Sequence, residues 1–149
     1  MFGYRRAALG AAALALAGST LSLAQSSSPM TGGDYVTVTA IGVDAGHARD
    51  YANYLSSEWK AERDFAKAQG WITGYEVLTN PHRRAGEPDV YLVVRFTNFA
   101  DPAEGARRAN LMRAHLKLTE AQQEASAGER DKYRHTVSVQ LLRAQTFAK

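Results

Sequence analysis

The order in which strand-like and helix-like patterns follow one another constrains the fold of this chain more than any other feature. Apolar and polar residues alternate with a period of two in four segments, which is typical of strands, and recur with a period near 3.6 in two longer ones, which is typical of helices. The strand-like segments are residues 35–43, 71–79, 90–99 and 135–147. The helix-like segments are residues 47–69 and 101–127, so each lies between two strands.

Capping residues support these boundaries. Gly70 is a natural end for the first helix, and the run Asp101, Pro102, Glu104 is typical of a helix start. The second helix can break near residues 118–119. The order strand–helix–strand–strand–helix–strand predicts an α+β, ferredoxin-like βαββαβ domain, in which a four-stranded antiparallel sheet carries both helices on one face.

Such a sheet leaves its second face uncovered, and here that face is expected to be semi-apolar. The residues assigned to it are Tyr35, Ile41, Tyr75, Tyr91, Val93 and Leu142. An uncovered apolar face of this size usually has a partner. We therefore expect a homodimer in which two sheets pack face to face and form a barrel.

The N-terminal residues have the pattern of an export signal. Arg5 and Arg6 precede an apolar stretch, and Ser22 and Ala24 are the small residues expected before a cut. The prediction is a signal peptide over residues 1–24, a flexible leader over 25–33 and one domain over 34–149, free of the membrane in the periplasm. The two arginines leave the twin-arginine route open beside the general one.

Charge and cysteine content exclude several classes of function. Removing residues 1–24 takes away two of the 18 basic residues and none of the 15 acidic ones, so the mature chain is nearly neutral. Nucleic-acid binding, which needs a concentrated basic face, is not expected. Without a single cysteine the chain has no disulfide, thiolate metal ligand or thiol nucleophile.

One face of the first helix combines apolar residues with two carboxylates. At 100° per residue, Leu55 and Tyr51 lie within about 80° of Trp59. Glu62 lies about 60° and Glu58 about 100° from Trp59 on the same side. A carboxylate in an apolar arc is costly unless it is paired, hydrogen-bonded or protonated.

The second helix likewise directs polar residues inward, since Arg108 and His115 lie within about 60° of Met112. We therefore predict a shared cavity with Glu62 and His115 as an acid–base pair. The expected ligand-binding residues are Tyr51, Leu55, Glu58, Trp59, Arg108 and Met112. Two alternatives remain open: a buried ion pair that only orients the helices, and an exposed helix end.

No metal or cofactor is expected. His47, His82 and His135 show no ligand spacing, and His115 with the two glutamates supplies too few nitrogen ligands for zinc. The charged segment at residues 128–134, GERDKYR, is interpreted as exposed surface.

The segment KAQGWITGYEVL, residues 67–78, runs from an amphipathic helix through a glycine into an aromatic strand. With this segment and its element order, the chain resembles the dimeric α+β barrel superfamily over residues 35–147. That superfamily includes antibiotic-biosynthesis-type monooxygenases, EthD-like proteins and haem-degrading monooxygenases. The resemblance implies a site between the helices and the sheet of each protomer. The haem-degrading members use Asn, Trp and His; Trp59 and His115 are the positional counterparts here, but the first strand contains no Asn.

We therefore expect an exported, dimeric protein that binds a small organic molecule, and the resemblance implies cofactor-independent oxidation or proton transfer if it is an enzyme. The alternatives are a non-catalytic binding or assembly module that dimerises through its sheet, and a haem-handling protein.

The cleavage site gives a first testable prediction. Because Ser22 and Ala24 satisfy the small-residue rule, the mature chain should begin at Gln25. N-terminal sequencing of protein from the periplasmic fraction checks this, and material that still begins at Met1 would contradict it.

Overall fold

The computed structural model describes residues 28–147, so the predicted signal peptide lies outside the described residues. The predicted α+β class is confirmed. The strands are β1 (Met30–Val43), β2 (Gly74–Thr79), β3 (Val90–Phe96) and β4 (Arg134–Phe147). Helix α1 is continuous and consists of Ala48–Tyr54, a π-helical turn Leu55–Trp59 and Lys60–Ala68. The remaining helices are α2 (Pro102–Leu116) and α3 (Glu120–Asp131).

The four strands form one antiparallel sheet in the order β2-β3-β1-β4. β1 lies in the middle and pairs with β3 on one side and β4 on the other. This arrangement is consistent with the predicted ferredoxin-like fold, because each helical crossover skips over one strand of the sheet.

The flexible leader expected at residues 25–33 requires a correction. β1 begins at Met30, which pairs with Phe147, and Gly32 pairs with Gln145. The last residues of β4 therefore give the beginning of β1 a hydrogen-bonding partner. The register of β1 with β4 shifts between Gly32 and Tyr35 and again between residues 40 and 41, which is typical of β-bulges.

Helix α1 ends as predicted, at a glycine. Gly70 has φ 70°, a left-handed conformation that glycine adopts without strain. Its N–H donates to the Lys67 carbonyl at 3.0 Å, and the Trp71 N–H donates to the Ala66 carbonyl, also at 3.0 Å. These two bonds form a Schellman motif. Because Trp71 is part of this cap, β2 starts at Gly74 and not at the predicted residue 71.

The predicted break near residues 118–119 is confirmed. The Asp101 side chain caps the start of α2 by accepting from the Glu104 N–H at 2.8 Å. The helix ends where Lys117 adopts a left-handed φ of 55°. Thr119 then starts α3 with a capping box, in which Gln122 is its reciprocal partner.

The core lies where α1 covers the sheet. Its buried members are Ile41, Tyr51, Trp59, Val90 and Leu92, of which Ile41 and Tyr51 are fully buried. Tyr75 packs against this cluster, and Tyr35 shares the same face as Ile41 because β1 pairs with β3 without a register shift from residue 35 to 41. Assigning Ile41, Tyr75 and Tyr35 to the uncovered face was therefore wrong, since these residues lie on the side of the helices.

The opposite face of the sheet, which no helix covers, carries the other three residues that were assigned to the uncovered face. Tyr91, Val93 and Leu142 share this face, because their β1 partners are Ala40, Val38 and Val36. Leu78 joins them through its pairing with Tyr91. The resulting surface is apolar and contains two exposed leucines, Leu78 and Leu142.

Candidate functional site

The two glutamates of α1 lie in different environments, Glu58 in the π-helical turn and Glu62 in the α-helical part that follows it. Glu62 is partly enclosed and pairs with Arg63, whose Nη2 donates at 3.1 Å. Glu58 is exposed and lies 3.4 Å from Nη1 of Arg130 on α3. Trp59 between them is buried and meets Tyr75 edge to face at a centroid distance of 5.3 Å. The predicted inward direction thus holds for Trp59, holds in part for Glu62 and was wrong for Glu58.

The π-helical turn itself is a local feature that frequently marks functional sites. The backbone carbonyl of Asn53 precedes this turn and accepts hydrogen bonds from two side chains. The hydroxyls of Ser57 and Ser56 donate to this oxygen at 2.6 and 3.0 Å. Two serines at the spacing i+3 and i+4 therefore stabilise a turn that holds Tyr54 and Trp59 on the sheet side of the helix.

An apolar cleft of about 640 Å³ opens between the first half of α1 and the edge formed by β2 and β3. Tyr51 and Leu55, both predicted ligand-binding residues, form part of its wall. Among its other lining residues are Val43, Ala48, Ala52, Val77, Thr79 and Val90. Its size is in the range of small-molecule sites.

Polar groups fix the rim of this cleft. Arg83 Nε lies 2.7 Å from a carboxylate oxygen of Asp89. The other oxygen of Asp89 accepts from the Val43 N–H at 2.9 Å, and the Asp89 N–H donates to the Ile41 carbonyl at 2.9 Å. Asp89 therefore joins the loop before β3 to the end of β1, and it holds Arg83 at the mouth.

A second, smaller cleft of about 380 Å³ lies between α1 and α2 at the opposite end of the sheet. Met112 and Arg108, two more of the predicted ligand-binding residues, line it together with Trp71 and Phe96. The Arg108 guanidinium lies over the Trp71 ring, 5.4 Å from its centroid, and its Nε donates to Glu104 at 2.7 Å.

Glu104 is held strongly in its charged form. Hydrogen bonds from Arg107 and then from Arg108 lower the pKa of its carboxyl group to about 2. The guanidinium of Arg108 is therefore paired with a carboxylate on its own helix, and one of its faces lies against the Trp71 ring.

The residues predicted to share one cavity are distributed over two separate clefts. Tyr51 and Leu55 line the larger cleft, and Arg108 and Met112 line the smaller one. His115 stacks on Phe65 at a centroid distance of 4.1 Å. Glu62 has Arg63 as its partner, so the proposed acid–base pair with His115 is not formed in this structure.

The charged side chains that contact the first half of α1 come from residues 128–134, the segment that the sequence pattern assigned to exposed surface. Arg130 and Arg134, both within GERDKYR, have side chains only 15% and 18% exposed. The Arg130 guanidinium lies 4.2 Å from the Tyr54 ring centroid, and that of Arg134 lies 5.9 Å from the Tyr51 ring. The sequence signal is two arginines close to Tyr133: Arg130 lies in the last turn of α3 and Arg134 begins β4, so the connection between these elements brings both beside α1.

The described residues contain no group of three His, Asp or Glu side chains arranged to hold a metal ion. Within residues 28–147, no helix combines the length and the apolar character that a membrane span requires.

Comparison with known proteins adds no relative. No protein-family model matches the chain, no similar curated protein is found, and no solved structure matches the fold at a significant level.

The two tyrosines of α1 give a pH-dependent prediction. Burial raises the pKa of Tyr51 and of Tyr54 above the usual 10.0, and the nearby arginines only partly oppose this. The folded state therefore keeps these hydroxyls protonated when the unfolded chain has begun to ionise. Their contribution to stability is present below about pH 10 and is lost as the pH rises through the folded values.

Urea unfolding at about pH 9 and about pH 11 should show the loss, and Tyr51→Phe with Tyr54→Phe should make it smaller. At neutral pH, removing the hydroxyl of Tyr51 should leave stability unchanged or slightly higher, because it makes no hydrogen bond among the described residues. An equal loss in the native chain and the double variant would contradict the assignment.

Proposed function

We propose that the protein binds a small, largely apolar organic molecule in the cleft between α1 and the β2–β3 edge. The observation that supports this best is the cleft itself: about 640 Å³, with apolar walls and a fixed polar pair, Arg83 and Asp89, at its rim. Apolar walls with a few placed polar groups are the usual composition of a ligand site. After export and removal of residues 1–24, binding would take place in the periplasm.

Binding is better supported than catalysis. Proton transfer by Glu62 and His115 requires both groups to reach one substrate, but Glu62 pairs with Arg63 while His115 stacks on Phe65. The larger cleft is lined by neither glutamate. Of the functions expected from the sequence, a non-catalytic binding role therefore agrees best with the geometry.

The open sheet face supports a second part of the proposal, a homodimer of the dimeric α+β barrel type. Leu78, Tyr91 and Leu142 give this face its accessible apolar surface, whereas Val93 on the same face is only 4% exposed in the single chain. The ion pair between Arg95 and Glu76, at 2.6 Å, lies on the same face and supplies a polar rim. An apolar centre with a polar rim is the common composition of a protein–protein interface.

Filling the cleft tests the binding proposal. Ala52 lines the cleft and is exposed, so Ala52→Trp should occupy the space without disturbing the core. Binding of the neutral fluorescent probe N-phenyl-1-naphthylamine should fall at least tenfold, about 1.4 kcal/mol. Titration by fluorescence measures the affinity.

The matched control is Ala68→Trp, which makes the same change at an exposed position at the end of the same helix, away from the cleft. It should bind the probe like the native protein, and both variants should keep their free energy of unfolding within about 0.5 kcal/mol. Equal binding by Ala52→Trp and the native protein would refute the cleft as the ligand site.

Two adjacent leucines of β4 test the dimer. Leu141 and Leu142 are 55% and 49% exposed and point to opposite faces of the sheet. Leu142→Glu should convert the dimer to a monomer, because a charge buried without a partner costs several kcal/mol. Leu141→Glu places the same charge on the helix side and should leave the dimer intact.

Light scattering reports the mass of each form. Neither variant should unfold, since both leucines are exposed in the single chain. A native protein that is already monomeric would end the dimer proposal, and dissociation by Leu141→Glu alone would move the interface to the other face.

A further inference from the structure

The smaller cleft, between α1 and α2, is lined by two arginines and by no acidic residue of the described chain. Arg63 of α1 and Arg108 of α2 both line it, and their side chains are 26% and 27% exposed. The amide of Asn98, in the segment between β3 and α2, lines it as well. With a volume of about 380 Å³, the cleft is large enough for a small organic molecule.

The carboxylate partners of these two arginines lie outside the cleft and engage only part of each guanidinium. Glu104 accepts from Nε of Arg108 at 2.7 Å, and Glu62 accepts from Nη2 of Arg63 at 3.1 Å. A guanidinium has five N–H donors in a planar fork. Both Nη groups of Arg108 and Nη1 of Arg63 therefore keep donors for a ligand that enters the cleft.

The charges around the cleft leave a small positive excess. Glu104 is shared by Arg107 and Arg108, and Glu62 pairs with Arg63, so three arginines stand against two glutamates. One added negative charge balances this group, whereas a multiply charged anion would be repelled by the nearby glutamates. The balance therefore favours a ligand that carries a single negative charge.

Aromatic rings form the other walls. Trp71, Phe96 and Phe99 all line the cleft, and the last two meet edge to face at a centroid distance of 5.1 Å. The position of the Arg108 guanidinium over the Trp71 ring places a charged group directly beside an apolar wall. Phe99 is 59% exposed, so it offers apolar surface that the flat ring of a ligand can cover.

We propose that this cleft, which we name the arginine–aromatic cleft, binds a small aromatic monocarboxylate. The carboxylate accepts hydrogen bonds from Arg108 and Arg63, because its planar shape matches the fork of a guanidinium. The ring of the ligand packs against Trp71, Phe96 and Phe99. Arginine for the charge and aromatic side chains for the ring are the two kinds of group that such a ligand needs, and the cleft supplies both.

The inference goes beyond the proposed function and does not rest on it. The arginine–aromatic cleft and the apolar cleft between α1 and the β2–β3 edge share no lining residue. Ala52→Trp, which fills the apolar cleft, should therefore leave carboxylate binding at the native value. Either proposal can then fail while the other stands.

Calorimetric titration of the mature protein with 2-naphthoate at about pH 7 tests the site, since a carboxylic acid is then ionised and arginine is charged. 2-Naphthamide, which has nearly the same shape without the charge, should bind at least tenfold more weakly, because it cannot form charge-assisted hydrogen bonds. Arg108→Gln should weaken 2-naphthoate binding at least tenfold for the same reason.

The matched control is Arg107→Gln. Arg107 is the next residue on the same helix and donates to the same Glu104, at 2.6 Å, but its side chain is 56% exposed and does not line the cleft. Its loss should leave 2-naphthoate binding within about twofold of native, because an exposed charge outside the site is screened by solvent.

A steric variant decides the matter independently of charge, and also if circular dichroism shows that Arg108→Gln does not fold. Ala109 is exposed and lines the cleft, so Ala109→Trp should occupy the space and weaken 2-naphthoate at least tenfold, about the loss expected for a blocked site. Ala106→Trp makes the same change at an exposed position of the same helix outside the cleft and should bind like the native protein.

Three results would overturn the proposal. One is equal affinity of the native protein for 2-naphthoate and 2-naphthamide, or no measurable binding of 2-naphthoate. Another is a loss of affinity in Arg107→Gln as large as that in Arg108→Gln. The third is native affinity in the folded Ala109→Trp variant together with weakened binding in Ala52→Trp, which would assign the carboxylate to the apolar cleft.

Discussion

The packing of Tyr51 and Trp59 onto one face of the sheet is the contact on which the rest of the structure depends. These two aromatic side chains, eight residues apart on α1, are enclosed by Ile41, Val90 and Leu92. Large aromatic side chains bury more area than any others and so dominate the energy of a small core. Helices α2 and α3 bury no residue fully, so α1 anchors the helical layer.

That distribution of burial explains where the clefts lie. Helix α1 alone cannot cover four strands, and α2 and α3 contribute only partly buried residues. Space therefore remains on both sides of α1, with apolar walls toward β2 and β3 and polar, aromatic walls toward α3. No charged residue is fully buried in the part of the chain described, because each charged group that approaches the core keeps some contact with water.

The helical layer is held together on the α3 side by interactions of another kind. Arg130 lies over Tyr54, and His47 stacks on Tyr133 at 5.1 Å. Cation–π and stacking contacts of this type are directional and individually worth about 0.5–2 kcal/mol. They fix orientation more than they add stability.

The sequence by itself determined the element order, the α+β class and the cap positions, because alternation, helical periodicity and capping residues such as Gly70 and Asp101 act locally. It also identified Trp59 and Tyr51 as inward-facing. Tertiary structure alone decided which face of the sheet Ile41 joins, since a strand's two faces look alike until a helix covers one of them. It also decided that Glu62 pairs with its neighbour Arg63, that His115 meets Phe65, and that Arg134 lies beside Tyr51, far away in sequence. Those pairings depend on how α1, α2 and α3 are placed over the sheet, and no local sequence pattern encodes that placement.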